Sequence, residues 1–395
     1  MENRKILIVG SGIAGPTLAW WLRRHGFEPT VVERAPSLRT GGYIVDFWGT
    51  GYDVAEQMGL LPTLSKLSLP IEEVRLVDDD GQRKGGLGGK AIRSMMRGRF
   101  LSILRSDLAA TIHASLGDDV RTLFGETIVR IDQSEHGVWV EFRDRPSERF
   151  DVVIGAGGLH SPVRGLVFGA ERSFEKFLGY YAASFSADDY PHRDPHAYVS
   201  YSVPGRQITR YSLVDGRTVF LLVFSAQSKL DVSPRDVRTQ KDLLRREFGG
   251  KGWECNDILS RLDANPDLYF DAVSQIRMNA WSHRRTALVG DACGCPSLLA
   301  GEGSALAMAG AYTLAGKMKR SGGDHRIAFA NYERLFRPLI ASKQRSAERF
   351  AKSFVPGSRA GIFVRNQLTR LMNLPYVAQL TMGRMLKDPI ELPVY

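Results

Sequence analysis

The sequence has few cysteines and no long apolar run. Its three cysteines, Cys255, Cys293 and Cys295, are too few for a disulfide framework, which favours a reducing compartment. No apolar stretch reaches the roughly eighteen residues that a membrane span requires. The first strand also begins too early to leave room for a signal peptide. We therefore expect a cytoplasmic protein that does not insert into a membrane.

Patterns typical of metal and nucleic-acid binding are also scarce. Cys293-Gly-Cys295 has no second cysteine pair, and His192 and His196 lie in a proline-containing stretch, so we predict no metal site. The net charge of +10 is partly local, because positions 317–352 hold ten Lys or Arg and three acids. No regular interleaving of aromatic and basic residues accompanies this charge. A solvated helix face or the steering of an anionic ligand is therefore favoured over nucleic-acid binding.

An apolar strand near the start of the chain runs into a glycine-rich turn and then a helix. The strand, Ile6–Val9, leads into Gly10-Ser11-Gly12-Ile13-Ala14-Gly15. Gly10 permits the tight turn, Gly12 lets the backbone approach a pyrophosphate, and Gly15 lets the helix pack on the strand. The helix, expected from about Ala14 to His25, points its free N–H groups at the phosphates. This arrangement predicts a dinucleotide site.

The next strand supports that prediction. Residues 28–34 end in Glu33-Arg34, and Glu33 follows the glycines by about twenty residues, where an acid that binds adenosine ribose hydroxyls is expected. The following loop and short strand offer Arg39 and Asp46 as polar residues that could lie along an extended cofactor. An ordinary surface loop explains this stretch equally well.

Two later strands also end in glycines. The strand at 149–155 continues into Gly157-Gly158 and then His160-Ser161-Pro-Val-Arg164. The strand at 286–290 is followed by Asp291, then by Gly301-Glu302-Gly303 and a helix that starts at Ser304. Because Asp291 leaves a buried strand tip beside a helix start, it is a candidate partner for a hydroxyl group or a phosphate linker.

The residue pattern changes between positions 173 and 271. Three alternating runs, at 197–203, 207–214 and 218–225, predict an antiparallel sheet. Tyr211, Phe220 and Phe224 could wall a substrate pocket, although an ordinary core face is the more common role for such residues. The glycine-rich run at 85–90 lacks the features of a phosphate loop and is expected to be a mobile loop. Helical spacing at 341–354 and 363–372 predicts helices.

Taken together, these segments resemble the single-component FAD-dependent aromatic hydroxylases, the p-hydroxybenzoate hydroxylase-like family. The similarity covers roughly residues 4 to 345 and is closest to the branch with tetracycline-modifying and polyketide-tailoring monooxygenases. The middle segment resembles a family motif, Gly-Ala-Asp-Gly-x-x-Ser-x-x-Arg, that touches both FAD and the nicotinamide cofactor. Gly157 replaces its aspartate, whereas Ser161 and Arg164 match. In the third segment Pro296 is one place early, and Ala305 and Gly310 stand where Asn and Asp are usual.

The resemblance also assigns cofactor contacts. Arg105 falls where the family has an FAD-contacting arginine, and Asp46 where the tetracycline-modifying branch has an acid beside the isoalloxazine. The implied FAD-binding residues are Gly10, Ser11, Gly12, Ile13, Ala14, Gly15, Glu33, Arg34, Asp46, Arg105, Gly157, Asp291, Gly301, Gly303 and Ser304.

The implied fold is α/β, with a Rossmann-like FAD-binding domain, an inserted antiparallel-sheet substrate domain and C-terminal helices. We expect the FAD-binding domain at 1–70, 97–172 and 272–340, the substrate domain at 71–96 and 173–271, and a helical segment at 341–395. The resemblance does not decide between a monomer and a homodimer.

The activity that the resemblance implies is hydroxylation of an aromatic or polycyclic small molecule. NADPH or NADH would reduce the flavin, and dioxygen would react through a flavin C4a-hydroperoxide. Alternatives on the same fold are a reductase, a halogenase, or a flavin-binding protein without turnover. The tryptophans never form the Trp-x-Trp pattern of the halogenases, and no catalytic side chain can be named.

Overall fold

The computed structural model describes residues 2–39, 41–96, 98–191, 193–213, 215–234, 236–265, 268–374 and 392–395. Its helices are α1 (Ala14–Arg24), α2 (Gly49–Gln57), α3 (Leu61–Leu67), α4 (Gly89–Met96), α5 (Arg105–Ala114), α6 (Pro162–Val167), α7 (Val237–Phe248), α8 (Cys255–Ser260), α9 (Asp291–Gly294), α10 (Gly303–Arg320), α11 (His325–Phe354) and α12 (Arg359–Leu371). Single 3-10 turns span Gly117–Asp119, Gly158–His160, Glu171–Ser173 and Leu298–Ala300.

The strands, in chain order, are β1 (Lys5–Val9), β2 (Glu28–Glu33), β3 (Ile44–Trp48), β4 (Glu73–Val77), β5 (Arg83–Gly88), β6 (Phe100–Leu104), β7 (Arg121–Phe124), β8 (Ile128–Ser134), β9 (Gly137–Phe142), β10 (Glu148–Phe150), β11 (Val152–Gly155), β12 (Glu175–Ala187), β13 (Ala197–Val203), β14 (Arg206–Ser212), β15 (Thr218–Ser225), β16 (Tyr269–Ile276), β17 (Ser282–His283) and β18 (Thr286–Leu288).

A mostly parallel sheet is the centre of the FAD-binding domain. Its strand order is β17-β18-β11-β1-β2-β7, and only the β17–β18 pair is antiparallel among these described strands. Residues 6–9 of β1 are all buried, in one cluster with side chains of α1, α10 and the three-stranded sheet β10-β9-β8. Such continuous burial is typical of a parallel strand covered on both faces. The predicted Rossmann-like fold is confirmed.

A seven-stranded sheet forms the second layer, in the order β16-β12-β15-β14-β13-β4-β5. Its neighbours are antiparallel, as predicted, except that β4 runs parallel to β13. This exception arises because β4 and β5 come from an earlier part of the chain. They add to the edge of the sheet as a separate hairpin rather than as the next strand of the meander.

The two faces of the seven-stranded sheet pack against different parts of the molecule. On one face, which we call the outer face, alternate residues of β15 pack against α7 and α8. On the other, the inner face, Tyr211 and Val219 cluster with Leu104 and Ile44 of the FAD-binding domain. Val223 reaches the 3-10 turn at 298–300 through Leu299. The inner face is therefore turned toward the FAD-binding domain.

The prediction of a mobile loop at 85–90 is wrong, because these residues form most of β5 and the start of α4. The glycines let α12 lie directly against the strand. A Cβ built at Gly85 would lie 2.8 Å from the carbonyl oxygen of Asn366. The Asn373 side chain accepts from the N–H of Gly88 at 2.7 Å and donates to the oxygen of Gly86 at 2.8 Å. Asn373 thereby supplies backbone hydrogen bonds that a further strand would otherwise provide at this edge of the sheet.

The C-terminal helices begin earlier than predicted. α11 starts at His325 and continues through Pro338 to Phe354 as one helix, and α12 ends at Leu371. Residues 392–395 lie on α10, where the Tyr312 hydroxyl donates to the oxygen of Pro393 at 2.8 Å. The rest of the predicted helical segment, 375–391, falls outside the described residues. Within the described ranges no helix is long and apolar enough to cross a membrane.

Candidate functional site

The glycine-rich turn after β1 has the geometry of a close-packed dinucleotide turn. Gly10 has a φ of +118°, and a Cβ there would lie 2.5 Å from the carbonyl oxygen of Ala156. A Cβ at Gly15 would overlap the carbonyl oxygen of Gly10. At Gly12, by contrast, the nearest described atom to a built Cβ is Nη2 of Arg105, at 3.6 Å. Space therefore exists at Gly12, where a cofactor backbone is expected to approach.

Polar groups at this turn fit a dinucleotide. Glu33 accepts hydrogen bonds from the N–H groups of Ser11 at 2.8 Å and Ala35 at 2.9 Å. The buried Ser11 hydroxyl has no hydrogen-bond partner among the described residues, so it is free to bind a phosphate or hydroxyl oxygen. Of the other residues predicted to bind FAD here, Ile13 and Ala14 are buried and Arg34 is exposed.

Arg105 lies beside the turn although it is distant in sequence. It begins α5, and its N–H donates to the carbonyl oxygen of Tyr43 at 3.0 Å. Its guanidinium approaches Gly12 on one side and acts electrostatically on Asp291 on the other. A cation between a phosphate turn and a carboxyl group can bind an anionic linker.

The third glycine-rich segment closes the site. A Cβ built at Gly290 would lie 3.1 Å from the Cβ of Ala14, so the α9 turn touches the start of α1. The carboxyl of Asp291 faces Gly303, whose built Cβ would lie 3.8 Å from Oδ1. Burial raises the pKa of Asp291, and nearby Arg105 opposes that shift. Gly301 has a φ of +70°, and Ser304 is buried in the first turn of α10.

Side chains that the sequence did not single out hold the loop at 295–302. Gln344 donates to the oxygen of Cys295 at 3.1 Å, and Gln275 donates to the oxygen of Pro296 at 2.9 Å. Lys343 forms a largely buried ion pair with Glu302, with Nζ and Oε1 2.8 Å apart. The sequence signal available for Lys343 was its place on the apolar face of a predicted helix. A charged side chain in such a place is more often paired with an opposite charge than exposed to solvent.

Two departures from the family pattern have a packing explanation. A Cβ at Gly51 of α2 would overlap Ala305, so α2 and α10 are in backbone contact at this point. A Cβ at Gly310 would lie 3.2 Å from the Phe336 ring of α11. Small residues at 305 and 310 therefore allow α10 to pack closely against both helices.

Asp46 lies between the two domains. It is opposite Ser102 in the β3–β6 pair and accepts a hydrogen bond from the Ser102 hydroxyl. The Tyr198 hydroxyl of the seven-stranded sheet also bonds to this carboxyl. Burial raises the pKa of Asp46, and these hydrogen bonds only partly offset the shift.

In the middle segment, Arg164 is turned into the protein. Its Nη1 donates to the oxygen of Ala292 at 3.0 Å, and its Nη2 pairs with Glu171 at 2.6 Å. Arg164 thus ties this segment to the α9 turn. Gly157 is partly exposed, and a Cβ there would lie 2.9 Å from Cδ of Pro162, so an aspartate would require Pro162 to shift.

His160 connects the two domains. Its ring nitrogens lie 3.1 Å from Asp271 of β16 and 2.9 Å from Glu171. Hydrogen bonds to these two carboxylates raise the pKa of His160 to about 10. The imidazolium is therefore the form present at neutral pH.

The structure separates the three aromatic residues predicted to wall a substrate pocket. Tyr211 lies on the inner face, where its ring centroid is 5.1 Å from that of Tyr198. Phe220 and Phe224 lie on the outer face, where Phe224 packs against Phe248 of α7. Because successive residues of a strand alternate, the residues of β15 that face the FAD-binding domain are Val219, Leu221 and Val223. Phe220 and Phe224 are core residues.

The cysteines are free thiols. Burial raises the pKa of Cys293 and of Cys295, which keeps both protonated. Across the described residues, no group of three or more His, Cys, Asp or Glu side chains is placed to hold a metal ion. His192 is outside those residues.

Comparisons with known proteins agree with this geometry. A family model described as an FAD binding domain matches residues 3–326. A flavin-dependent monooxygenase from an unknown prokaryotic organism is 36% identical over 358 residues, covering 90% of this chain and 91% of the relative. One from Legionella longbeachae is 34% identical, covering 90% of each.

Solved structures give the same result. The crystal structure of tetracycline destructase Tet(55) is 32% identical, with a TM-score of 0.85, and the match covers 100% of this chain and 99% of that one. Tet(51) is 33% identical, with a TM-score of 0.84 and full coverage of both chains.

The fold and the site define a flavin-dependent monooxygenase, an oxidoreductase. The chain belongs to the FAD-binding domain family of such flavoproteins.

Proposed function

We propose that this protein takes electrons from NADPH or NADH and uses dioxygen to hydroxylate an aromatic or polycyclic small molecule. The convergence of three distant segments at one place supports the proposal. Gly12 faces Arg105, Arg105 acts on Asp291, and Asp291 faces Gly303. The inner face of the seven-stranded sheet is turned toward the same domain. When bound there, FAD supplies the redox and oxygen chemistry that side chains lack.

In this proposal, each group of residues binds a different part of the cofactor or substrate. The turn at 10–15 and Arg105 bind the pyrophosphate, and Glu33 binds ribose hydroxyls. Asp291 and the N–H groups at the start of α10 bind the remaining polar groups of the linker. The inner face excludes water and orients the substrate ring, which matters because water diverts reactive oxygen intermediates. Asp46 lies at the boundary between cofactor and substrate, where its buried carboxyl accepts hydrogen bonds from the hydroxyls of Ser102 and Tyr198.

The similarity to structures of tetracycline destructases supports tetracyclines as the first compounds to test, followed by anthraquinones and phenols. The experiment measures NADPH and oxygen consumption by the FAD-loaded protein with and without each compound, and records product masses. Stimulated consumption with one added oxygen atom is expected. Consumption that no compound stimulates would contradict the proposal.

Gly157 favours a second candidate, a flavin-binding protein without turnover. The family places an aspartate at this position in a motif that also serves the nicotinamide cofactor. The rate at which NADPH reduces the bound flavin separates the two functions. Reduction that is complete within seconds would exclude the second candidate.

A further inference from the structure

The inner face of strands β13 and β14 carries a row of polar side-chain pairs. Tyr198 neighbours Tyr211 with ring centroids 5.1 Å apart, and the hydroxyl oxygens of Ser200 and Thr209 are 2.8 Å apart. In the third pair, the Ser202 hydroxyl donates to Oε1 of Gln207 at 2.9 Å. Successive pairs are two residues apart along each strand, so the row is about 14 Å long.

One end of the row meets the FAD-binding domain. There the Tyr198 hydroxyl bonds to Asp46, and Tyr211 packs in the cluster that contains Leu104. Asp46 is on the same strand as Trp48, whose ring is 3.6 Å from a Cβ built at Gly301, in the cofactor loop. This end is therefore next to the predicted flavin.

The other end meets Arg365 of α12. Its Nη1 donates to Oε1 of Gln207 at 2.8 Å and to the oxygen of Phe354 at 3.0 Å, and its Nη2 donates to the Ser202 hydroxyl at 3.1 Å. Its Nε and Nη2 also donate to Oδ1 of Asn366, at 3.3 and 3.2 Å. These acceptors are neutral. In the described part of the chain, no carboxylate forms an ion pair with Arg365. Burial lowers the pKa of Arg365 to about 10, so it remains charged at neutral pH.

Arg210 is another buried arginine of this chain, and it is paired with carboxylates. It lies on the outer face of the same sheet, and its guanidinium pairs with Asp194 at 2.6 Å and with Glu254 at 2.7 Å. A buried charge is costly unless it is paired. Arg365 has hydrogen bonds but no counter-charge among the described residues, and it stands at the end of a polar row on the face turned to the flavin.

We infer that this row is the substrate track and that Arg365 recognises an anionic group at its far end. The substrate class is an elongated ring compound with an acidic group, such as a carboxylate, enolate or phenolate, at the end remote from the flavin. The ring system lies along Ser200 and Thr209, and the anion supplies the missing counter-charge at Arg365 by replacing Asn366, which accepts the longest hydrogen bonds, at 3.3 and 3.2 Å. This inference rests on the proposed function, because it assumes that the substrate lies beside the flavin.

A matched pair of probes tests the inference. Anthraquinone carboxylate and anthraquinone carboxamide share one ring system and differ in charge. Their Kd values are measured on FAD-loaded protein without NADPH, by equilibrium dialysis and by the shift in flavin absorbance. We expect the wild type to bind the carboxylate about tenfold more tightly. Arg365→Gln should remove that preference and change carboxamide binding less than twofold, and Arg365→Lys should retain part of the preference.

Arg370→Gln is the control, because Arg370 is exposed on the same helix. It should leave both Kd values unchanged. Equal binding of the two probes by the wild type, including no binding of either, would overturn the inference. An equal loss of both probes in Arg365→Gln would also overturn it, because that result assigns Arg365 to holding α12 in place.

Binding and turnover separate this inference from the proposed function. A charge preference that depends on Arg365, in a protein that oxygenates nothing, supports the track and contradicts the monooxygenase proposal. Substrate-stimulated oxygenation without any charge preference supports the monooxygenase proposal and contradicts the track.

Discussion

The two glycine-rich stretches at 10–15 and 85–89 differ in what approaches them. At 10–15 the helix that follows packs on the turn through Gly15, while Gly12 leaves space beside Arg105. In the second stretch, Gly85, Gly86 and Gly88 meet protein atoms, those of Val74 on the neighbouring strand, of α12 and of Asn373 just after it. Glycine therefore marks a close approach of the backbone in both places. Among the described residues of these two stretches, only the first has space at a glycine and a buried hydroxyl without a partner, that of Ser11.

Gly15→Ala should have the largest effect. The added methyl would overlap the carbonyl oxygen of Gly10, and both atoms belong to a buried turn that cannot yield. We expect a loss of about 3 kcal/mol in the free energy of unfolding, with little bound FAD in the purified protein. Gly165→Ala is the control, because a Cβ there has no neighbour within 4 Å, and it should be neutral or slightly stabilising. Equal stability of the two variants, measured by urea unfolding, would contradict the packing role of Gly15.

Gly86→Ala should have the next largest effect. Gly86 has a φ of +122°, and its added methyl would overlap the carbonyl oxygen of Val74. We expect a loss of about 2 kcal/mol in unfolding free energy with an unchanged Kd for FAD. Gly98→Ala separates strain from overlap, since Gly98 also has a positive φ but no neighbour within 4 Å. Weaker FAD binding in Gly86→Ala would break the distinction between the two stretches.

Gly12→Ala should act on the cofactor and not on the fold. Its added methyl has space, so unfolding of the FAD-free protein should change by less than about 0.5 kcal/mol. The methyl points toward the position expected for the pyrophosphate, so the Kd for FAD should rise about tenfold, or 1.4 kcal/mol. Fluorescence titration of the FAD-free protein measures this Kd. A normal Kd would mean that the cofactor does not approach Gly12.

The smallest effect is expected at His160, which follows the middle glycine-rich segment. Its pKa is raised from 6.5 to about 10 by two carboxylates, so its stabilising contribution is complete below pH 6.5 and is lost as the pH rises through 10. The side chain is half-exposed, so solvent screening limits the contribution to less than about 1 kcal/mol. The unfolding free energies of wild type and His160→Gln should differ at pH 6 and converge near pH 10.5. A constant difference across that pH range would contradict a stabilising contribution from the contacts of His160 with Asp271 and Glu171.

Much of the proposed FAD site follows from the sequence, because its signals are local. An apolar strand, a turn with Gly10, Gly12 and Gly15, and a helix start lie within twenty residues. The acid at Glu33 follows at a fixed distance. The same holds for Asp291 and the start of α10. A residue such as Arg105 could be assigned only through the family resemblance, since nothing near it in sequence marks a phosphate contact.

The sequence by itself determined the strands and helices that flank the glycine turns at 10–15 and 290–303, because backbone periodicity and glycine conformation act over short distances. Only the tertiary structure decided which face of each strand meets the FAD-binding domain. Because side chains of β15 alternate between the two faces of the sheet, the sequence leaves open whether Phe220 or Val219 faces the FAD-binding domain. The packing of α7 and α8 on the outer face decides that Val219 does. The tertiary structure also placed α12 on the glycines of β5 and Arg365 at the end of a polar row, since contacts between distant segments leave no periodic trace in the chain.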